Sequence, residues 1–241
     1  MQKLTIGLPG GAWGRYDYWA VMAYMAPLTH ALEQHGHNVV PLTSHAGDLC
    51  AWTEDVIGPM HGCDVIMPYS ITTLVAYLAV GKHPELARKT WIGLCPIPPT
   101  GLSPRGFAWA VSNAPSAFFG AFLPHLPGVE LDGSSAKRVF GAQAMATMDT
   151  DINYLHAEPL RTCLEASFPG AFGLCGKMGD IDWNRLVVPT DDGFVRIEEL
   201  TCTSAHQILT PHGQHGFPVT PEGVTLICQI INEIASARAT A

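Results

Sequence analysis

The chain has 241 residues, 47% of them apolar and only 14% charged, enough to bury one sizeable core and too apolar for an intrinsically disordered segment. A net charge of −8 with only 13 Lys and Arg argues against nucleic acid or an anionic membrane surface as the partner. No apolar run approaches the roughly 18 residues that a membrane span needs, and Leu4 to Leu8 is too short for the apolar core of a secretory signal.

In chain order, Lys3 to Leu8 is a β-type run, followed by the loop Pro9-Gly10-Gly11-Ala12-Trp13-Gly14. A helix is expected from about Tyr18 to Gln34, closed by Gly36, and Val39 to Leu42 reads as a second strand. Ala51 to Met60 reads as a helix. Val65 to Met67 is a short buried strand, and an apolar helix starts at Thr72. Thr90 to Cys95 is the next strand and ends at Pro96-Ile97-Pro98-Pro99. Strands alternating with helices predict an α/β fold with a mostly parallel sheet flanked by helices. Ligands then bind beyond the carboxyl ends of the strands.

From about Thr100 to Pro159 the alternation lapses. The stretch holds Trp109, Phe118, Phe119, Phe122 and Phe140, with Pro104, Pro115, Pro124 and Pro127 between them. It is expected to form short helices and loops that cover the carboxyl edge as a lid. The predicted organisation is a core of residues 1–99 and 160–241 with a lid insertion at 100–159. Arg185 to Pro189 reads as a strand, Glu198 to Ala205 as a helix and His206 to Thr210 as the last strand. A closing helix runs from about Pro221, a residue suited to a first helical position, to Ala237.

Three residues that can carry chemistry stand just past strand ends. Ser70 lies at the corner between the Val65–Met67 strand and the following helix. A sharp strand-to-helix corner exposes its residue in front of the free N–H groups and partial positive charge of a helix N-terminus. The usual G-x-S-x-G pattern is here Pro68-Tyr69-Ser70-Ile71-Thr72, with both glycines replaced, and Ser70 could instead cap the helix. An acid follows the Arg185–Pro189 strand as Asp191 or Asp192, with Asp192 favoured, and a histidine follows the last strand as His212 or His215. The order Ser, Asp, His is that of an α/β-type catalytic triad. A serine hydroxyl needs a neighbouring base to become a nucleophile, and the base needs a carboxylate to hold its tautomer.

The Pro9–Gly11 loop matches neither G-x-x-x-x-G-K-[ST] nor G-x-G-x-x-G. It is either a plain turn or a source of oxyanion-binding N–H groups facing Ser70. Neither His206 with His212 and His215 nor His35 with His37 has the Cys or acid spacing that would complete a metal site, so no metal and no cofactor are expected. Tyr69 is expected either at the substrate and oxyanion site or as plain packing. The seven cysteines are odd in number and lack C-x-x-C spacing. They are expected as reduced thiols in the cytoplasm.

With these motifs in place the chain resembles the α/β-hydrolase superfamily over nearly its whole length, without the first two family strands. Gly11-Ala12-Trp13 and the segment Ala31 to Val39 are similar to its small methylesterase and hydroxynitrile-lyase branch. The resemblance implies an oxyanion hole from the loop after the first strand and from Ile71. The family's Gly-x-x-Asp-x-x-Val loop matches Pro189 to Val195 if Pro189 replaces the glycine, which selects Asp192. Its Gly-x-Gly-His before Pro-Glu matches Gly213-Gln214-His215 before Pro221-Glu222, which selects His215. The implied activity is hydrolysis of a small, fairly apolar ester or thioester, and the implied partner a small molecule, with homodimer formation left open. Leu8-Pro9 stands where the family has His-Gly. This departure, with the altered corner, keeps a lyase, a cyclase or a catalytically silent binding protein as alternatives.

Overall fold

A computed structural model describes residues 2–8, 18–42, 44, 49–113, 178–200 and 203–240. Among the described residues, six parallel strands form one sheet in the order β2-β1-β3-β4-β5-β6. They are β1 (Thr5–Leu8), β2 (Asn38–Pro41), β3 (Val65–Ile66), β4 (Thr90–Leu94), β5 (Arg185–Val187) and β6 (Ile208–Leu209). The inner strands are buried on both faces, as a parallel sheet requires, and carry near-continuous apolar runs such as Ile6, Leu8, Val65, Ile66, Trp91, Ile92, Leu186 and Val187.

Five α-helices are described. They are α1 (Tyr18–Gln34), α2 (Leu49–His61), α3 (Thr72–Lys82), α4 (Pro104–Asn113) and α5 (Pro221–Ala239). From β1 the chain steps one way to β2, then crosses back over β1 to β3 and β4. Right-handed crossovers therefore put α1 on one face and α2 and α3 on the other. Accordingly α1 lies against α5, and α2 against α3. The reversal falls between β1 and β3, which is where an open α/β sheet opens a crevice beyond its carboxyl ends.

The local signals explain the boundaries. Gly36, at φ +85°, ends α1 with the His37 N–H donating to the Leu32 carbonyl at 3.2 Å, a turn that needs the left-handed region. Thr220 caps α5 by accepting from the Gly223 N–H at 3.1 Å, with Pro221 as the first helical residue. α3 is buried along Thr72 to Val80, which fits a helix that is apolar all round. At the amino edge, Arg238 of α5 donates to the Asp64 carboxylate and carbonyl and to Thr90 Oγ1, at 2.9–3.1 Å. This ties α5 to the starts of β3 and β4.

Two expectations are corrected. The helix expected over Glu198 to Ala205 is absent from its described residues: a 3-10 turn spans Ile197–Leu200, and 203–205 is not helical. Beyond it the Trp183 N–H donates to the Ser204 carbonyl, the His206 N–H donates to the Trp183 carbonyl, and Ala205 bridges Trp183. Ladder pairing outcompetes the helix there. The cysteines are not all reduced: Cys63, Cys95 and Cys228 are buried free thiols, but Cys50 is disulfide-bonded. Pairing follows the separation of cysteines in the fold and not their sequence spacing. The expected lid falls mostly on residues outside those described. Its described beginning includes α4, which docks on the loop after β5. Arg105 donates to Glu199 and to the Gly193 carbonyl, both at 3.1 Å, and Trp109 packs on Phe194 with ring centroids 5.0 Å apart. A Cβ on Gly193 would run into the Trp109 indole, so only glycine allows this approach.

Candidate active site

Ser70 stands where β3 turns into α3. The segment before it is still paired to β4, since the Leu94 N–H donates to the Pro68 carbonyl and the Ser70 N–H to the Leu94 carbonyl, both at 2.9 Å. The chain then reverses at Ser70 with φ +55°. A non-glycine residue held in the left-handed region costs on the order of 1–2 kcal/mol and persists only where its surroundings impose it. The surroundings are two threonines. Thr72 Oγ1 accepts from the Tyr69 N–H at 2.7 Å and donates to the Tyr69 carbonyl at 2.8 Å. Thr73 Oγ1 accepts from the Ile97 N–H at 3.0 Å, with the Ser70 and Ile97 carbonyls at 2.7 and 2.8 Å as acceptors. Hydroxyl bonds thus hold the corner where the usual pattern has a second glycine. Ser70 does not cap α3. The residue before the helix is Ile71, which makes no side-chain cap.

Asp192 is fixed by its own turn. Its N–H donates to the Pro189 carbonyl at 3.2 Å, and Oδ1 accepts from the Phe194 and Val195 N–H groups at 2.8 and 3.3 Å. The loops after β5 and β6 are zipped together, with the Thr190 and Asp191 N–H groups donating to the Pro211 and Gly213 carbonyls at 2.9 Å. This registers Asp192 against His215.

Three side chains converge. His215 Nδ1 lies 2.8 Å from Asp192 Oδ2, and His215 Nε2 lies 2.8 Å from Ser70 Oγ. All three are buried. An ionised carboxylate can only accept, so Nδ1 carries the proton and Nε2 is left to accept from the serine hydroxyl. The other aspartate and histidines stand elsewhere. Asp191 pairs with His212 at 3.1 Å in solvent, and His206 pairs with Asp182 at 2.8 Å.

Of the expected oxyanion donors, the Ile71 N–H has no hydrogen-bond acceptor among the described residues and faces out of the first turn of α3. Pro9, Gly10 and Gly11 lie outside the described residues. Of the two readings open for Tyr69, its surroundings match packing. Tyr69 is fully buried, its Oη donates to the His215 carbonyl at 3.0 Å, and its ring lies 5.2 Å from the imidazole. Tyr69 is still bridged to Leu94 of β4, so the strand pairing reaches the residue before the corner.

Other supporting side chains escaped the sequence. Phe194 also packs on His215, with centroids 4.6 Å apart. Cys95, just past β4 at φ +47°, donates its thiol to the His215 carbonyl at 3.3 Å and lies beside Asp192. Burial, reinforced by the Asp192 charge, pushes the Cys95 thiol well above its ordinary value, so it remains a neutral donor. Position just past a strand end was the available signal for Cys95, the same one that marked Ser70. A cavity of about 450 Å³ lined by Val188, Pro189, Thr190, Arg196, Ile197, Glu198 and Thr210 contains none of the three converging residues.

No family model and no curated protein sequence matches the chain. Solved structures do. A thermophilic esterase from Thermogutta terrifontis aligns with a TM-score of 0.57 at 14% identity, over 98% of this chain and 90% of that one. An esterase from Rhodococcus sp. ECU1013 aligns with a TM-score of 0.57 at 14% identity, over 97% and 90%. The 2-hydroxy-6-oxo-6-phenylhexa-2,4-dienoate hydrolase of Rhodococcus sp. strain RHA1 aligns with a TM-score of 0.52 at 14% identity, over 96% and 90%. The parallel sheet, the corner after β3 and these likenesses define one class: the chain has the α/β-hydrolase fold. At this identity the likeness is one of fold.

Proposed function

We propose that the chain is a serine hydrolase that cleaves a small, fairly apolar carboxylic ester or thioester. The observation that carries this is the unbroken chain Asp192–His215–Ser70, with 2.8 Å at each link, ending on a serine held at φ +55°. Ser70 Oγ attacks the carbonyl carbon while His215 Nε2 takes its proton. The tetrahedral oxyanion is met by the Ile71 N–H and, on this proposal, by the Pro9–Gly11 loop. The carbonyl re-forms, the alcohol or thiol leaves with the proton from His215, and an acyl-serine remains. Water then attacks the acyl carbon with His215 again as base, which releases the acid and restores Ser70. Asp192 keeps Nδ1 protonated and stabilises the imidazolium. No cofactor takes part in these steps.

No described helix is long and apolar enough to cross a membrane. The cytoplasmic location expected from reduced thiols loses part of its basis with the disulfide at Cys50, since disulfides persist in oxidising compartments.

The test is intact mass after treatment with a fluorophosphonate. A single adduct on the wild type, lost in Ser70→Ala and in His215→Ala, is expected. No adduct on the wild type, or an adduct retained in Ser70→Ala, overturns the assignment. Substrate turnover retained in Ser70→Ala would turn attention to His215 as a base on carbon, in a lyase or cyclase.

A further inference from the structure

The sheet edge opposite Ser70 carries a second cluster of ligand-type side chains. His61 is the last residue of α2, His83 follows α3, and Glu85 stands in the 3-10 turn Pro84–Arg88. α2 and α3 lead into the amino ends of β3 and β4, so these residues meet at the edge away from the Ser70 corner. Glu85 Oε1 lies 3.2 Å from His83 Nδ1 and 3.7 Å from His61 Nε2. One ligand atom from each of the three residues lies within 4.8 Å of the other two.

These separations have a chemical meaning. Ligands held at about 2.0–2.1 Å around a tetrahedral zinc ion stand about 3.3–3.4 Å apart, and the observed 3.2 and 3.7 Å bracket that edge. Glu85 and His83 are within hydrogen-bond reach and the two imidazoles meet edge to face, whereas His61 Nε2 at 3.7 Å faces the carboxylate beyond hydrogen-bond reach. The side chains are 40%, 41% and 55% exposed, which leaves room for water at an open position. Two lysines nearby are engaged elsewhere. Lys82 Nζ pairs with Glu54, and Lys89 Nζ donates to the His61 and Cys63 carbonyls. Among the described residues no lysine or arginine forms an ion pair with Glu85.

We propose that His61, His83 and Glu85 bind a divalent transition metal of the zinc type. Two imidazoles and one carboxylate suit zinc, cobalt, nickel or copper, whereas magnesium and calcium take oxygen ligands. The ion would tie the end of α2 to the turn between α3 and β4. It would act on stability at the amino edge and stand apart from the chemistry at Ser70.

The test is calorimetric titration of the untagged, chelator-treated full chain with Zn²⁺ at mildly alkaline pH, where imidazole is neutral. One site is expected. His61→Ala, His83→Ala and Glu85→Gln are each expected to weaken it at least about tenfold. Saturating Zn²⁺ is expected to raise the thermal midpoint of the wild type by roughly 5 °C or more, and to leave that of the His61→Ala/His83→Ala double variant unchanged. Fluorophosphonate labelling should be the same in all of these proteins. Absence of Zn²⁺ binding by the wild type, or unchanged affinity in any one of the three single variants, overturns the site.

Discussion

Two aspartate–histidine pairs stand on the same two loops. Asp191 and His212 meet at 3.1 Å with side chains 51% and 90% exposed; Asp192 and His215 meet at 2.8 Å with side chains 0% and 1% exposed. The residue types are identical, and adjacent positions on one loop face positions three apart on the other. What differs is everything around them. In the outer pair each charge has water as an alternative partner, so the pair adds little. In the inner pair the remaining lone pairs and protons are taken by protein. Asp192 Oδ1 accepts two backbone N–H groups, His215 Nε2 meets Ser70, and the His215 carbonyl accepts from Tyr69 Oη and the Cys95 thiol. Burial with complete partnering turns a common ion pair into part of a fixed hydrogen-bonded chain that ends on Ser70.

The sharpest break of this contrast is Asp192→Asn. The amide can keep the shape but can present its NH₂ to Nδ1, which then favours the tautomer with Nε2 protonated and unable to accept from Ser70. The rate of fluorophosphonate labelling is expected to fall on the order of 10⁴-fold. A loss of less than about tenfold would mean that burial of Asp192 serves only the fold.

Next in size is Tyr69→Phe. It removes a buried donor from the His215 carbonyl and leaves that group to the longer thiol contact at 3.3 Å. A cost of about 1–2 kcal/mol follows, seen as a drop of roughly 2–8 °C in thermal midpoint. Labelling should slow severalfold as His215 loses its backing. Equal midpoints in wild type and variant would show that the Oη contact has no net value.

The contrast also marks how far the sequence could be followed. Apolar strand runs alternating with helices point to the parallel sheet, and position just past strand ends marks Ser70, Asp191 or Asp192, and His212 or His215, because in this topology those ends share one crevice. Choosing between Asp191 and Asp192, or His212 and His215, required a family pattern, since burial is decided by which loop residues zip together. The supporting side chains were illegible for the same reason. Tyr69, Cys95 and Thr73 act through contacts 24 to 146 residues away. The run Glu198 to Ala205 opens on good helix formers, Glu198 to Leu200, but continues through the weaker Thr201 to Ser204, and pairing with Trp183 draws its end into the sheet. The disulfide at Cys50 depends on proximity that spacing does not encode.

A smaller effect lies where α4 meets the loop after β5. Burial alone would raise the Glu199 carboxyl. Bonds from Ser103 Oγ, the Arg196 N–H and Arg105 outweigh it and hold the group below its ordinary value. A carboxyl held low in the folded state binds protons less readily there than in the unfolded chain. Its stabilisation is therefore complete above the unfolded value and is lost as pH falls through the folded one. The partners are partly exposed, so the effect should stay below about 1 kcal/mol. Urea midpoints at neutral pH and near pH 4 should differ less in Glu199→Gln than in the wild type. A larger difference in the variant would contradict this sign.

The smallest expected effect is the control for the whole contrast. Asp191→Asn and His212→Ala remove the outer pair, whose side chains are 51% and 90% exposed. Losing a charge there leaves no buried partner unsatisfied, because water replaces it on both sides. The main-chain bond from the Asp191 N–H to the Gly213 carbonyl is untouched by either substitution, so the two loops stay zipped and Asp192 stays opposite His215. Thermal midpoints within about 2 °C of the wild type are expected, with labelling of Ser70 at the wild-type rate. A tenfold loss of labelling in Asp191→Asn would mean that the outer carboxylate is coupled to the relay through His215. The contrast between the pairs would then be one of distance along a shared network and not of burial.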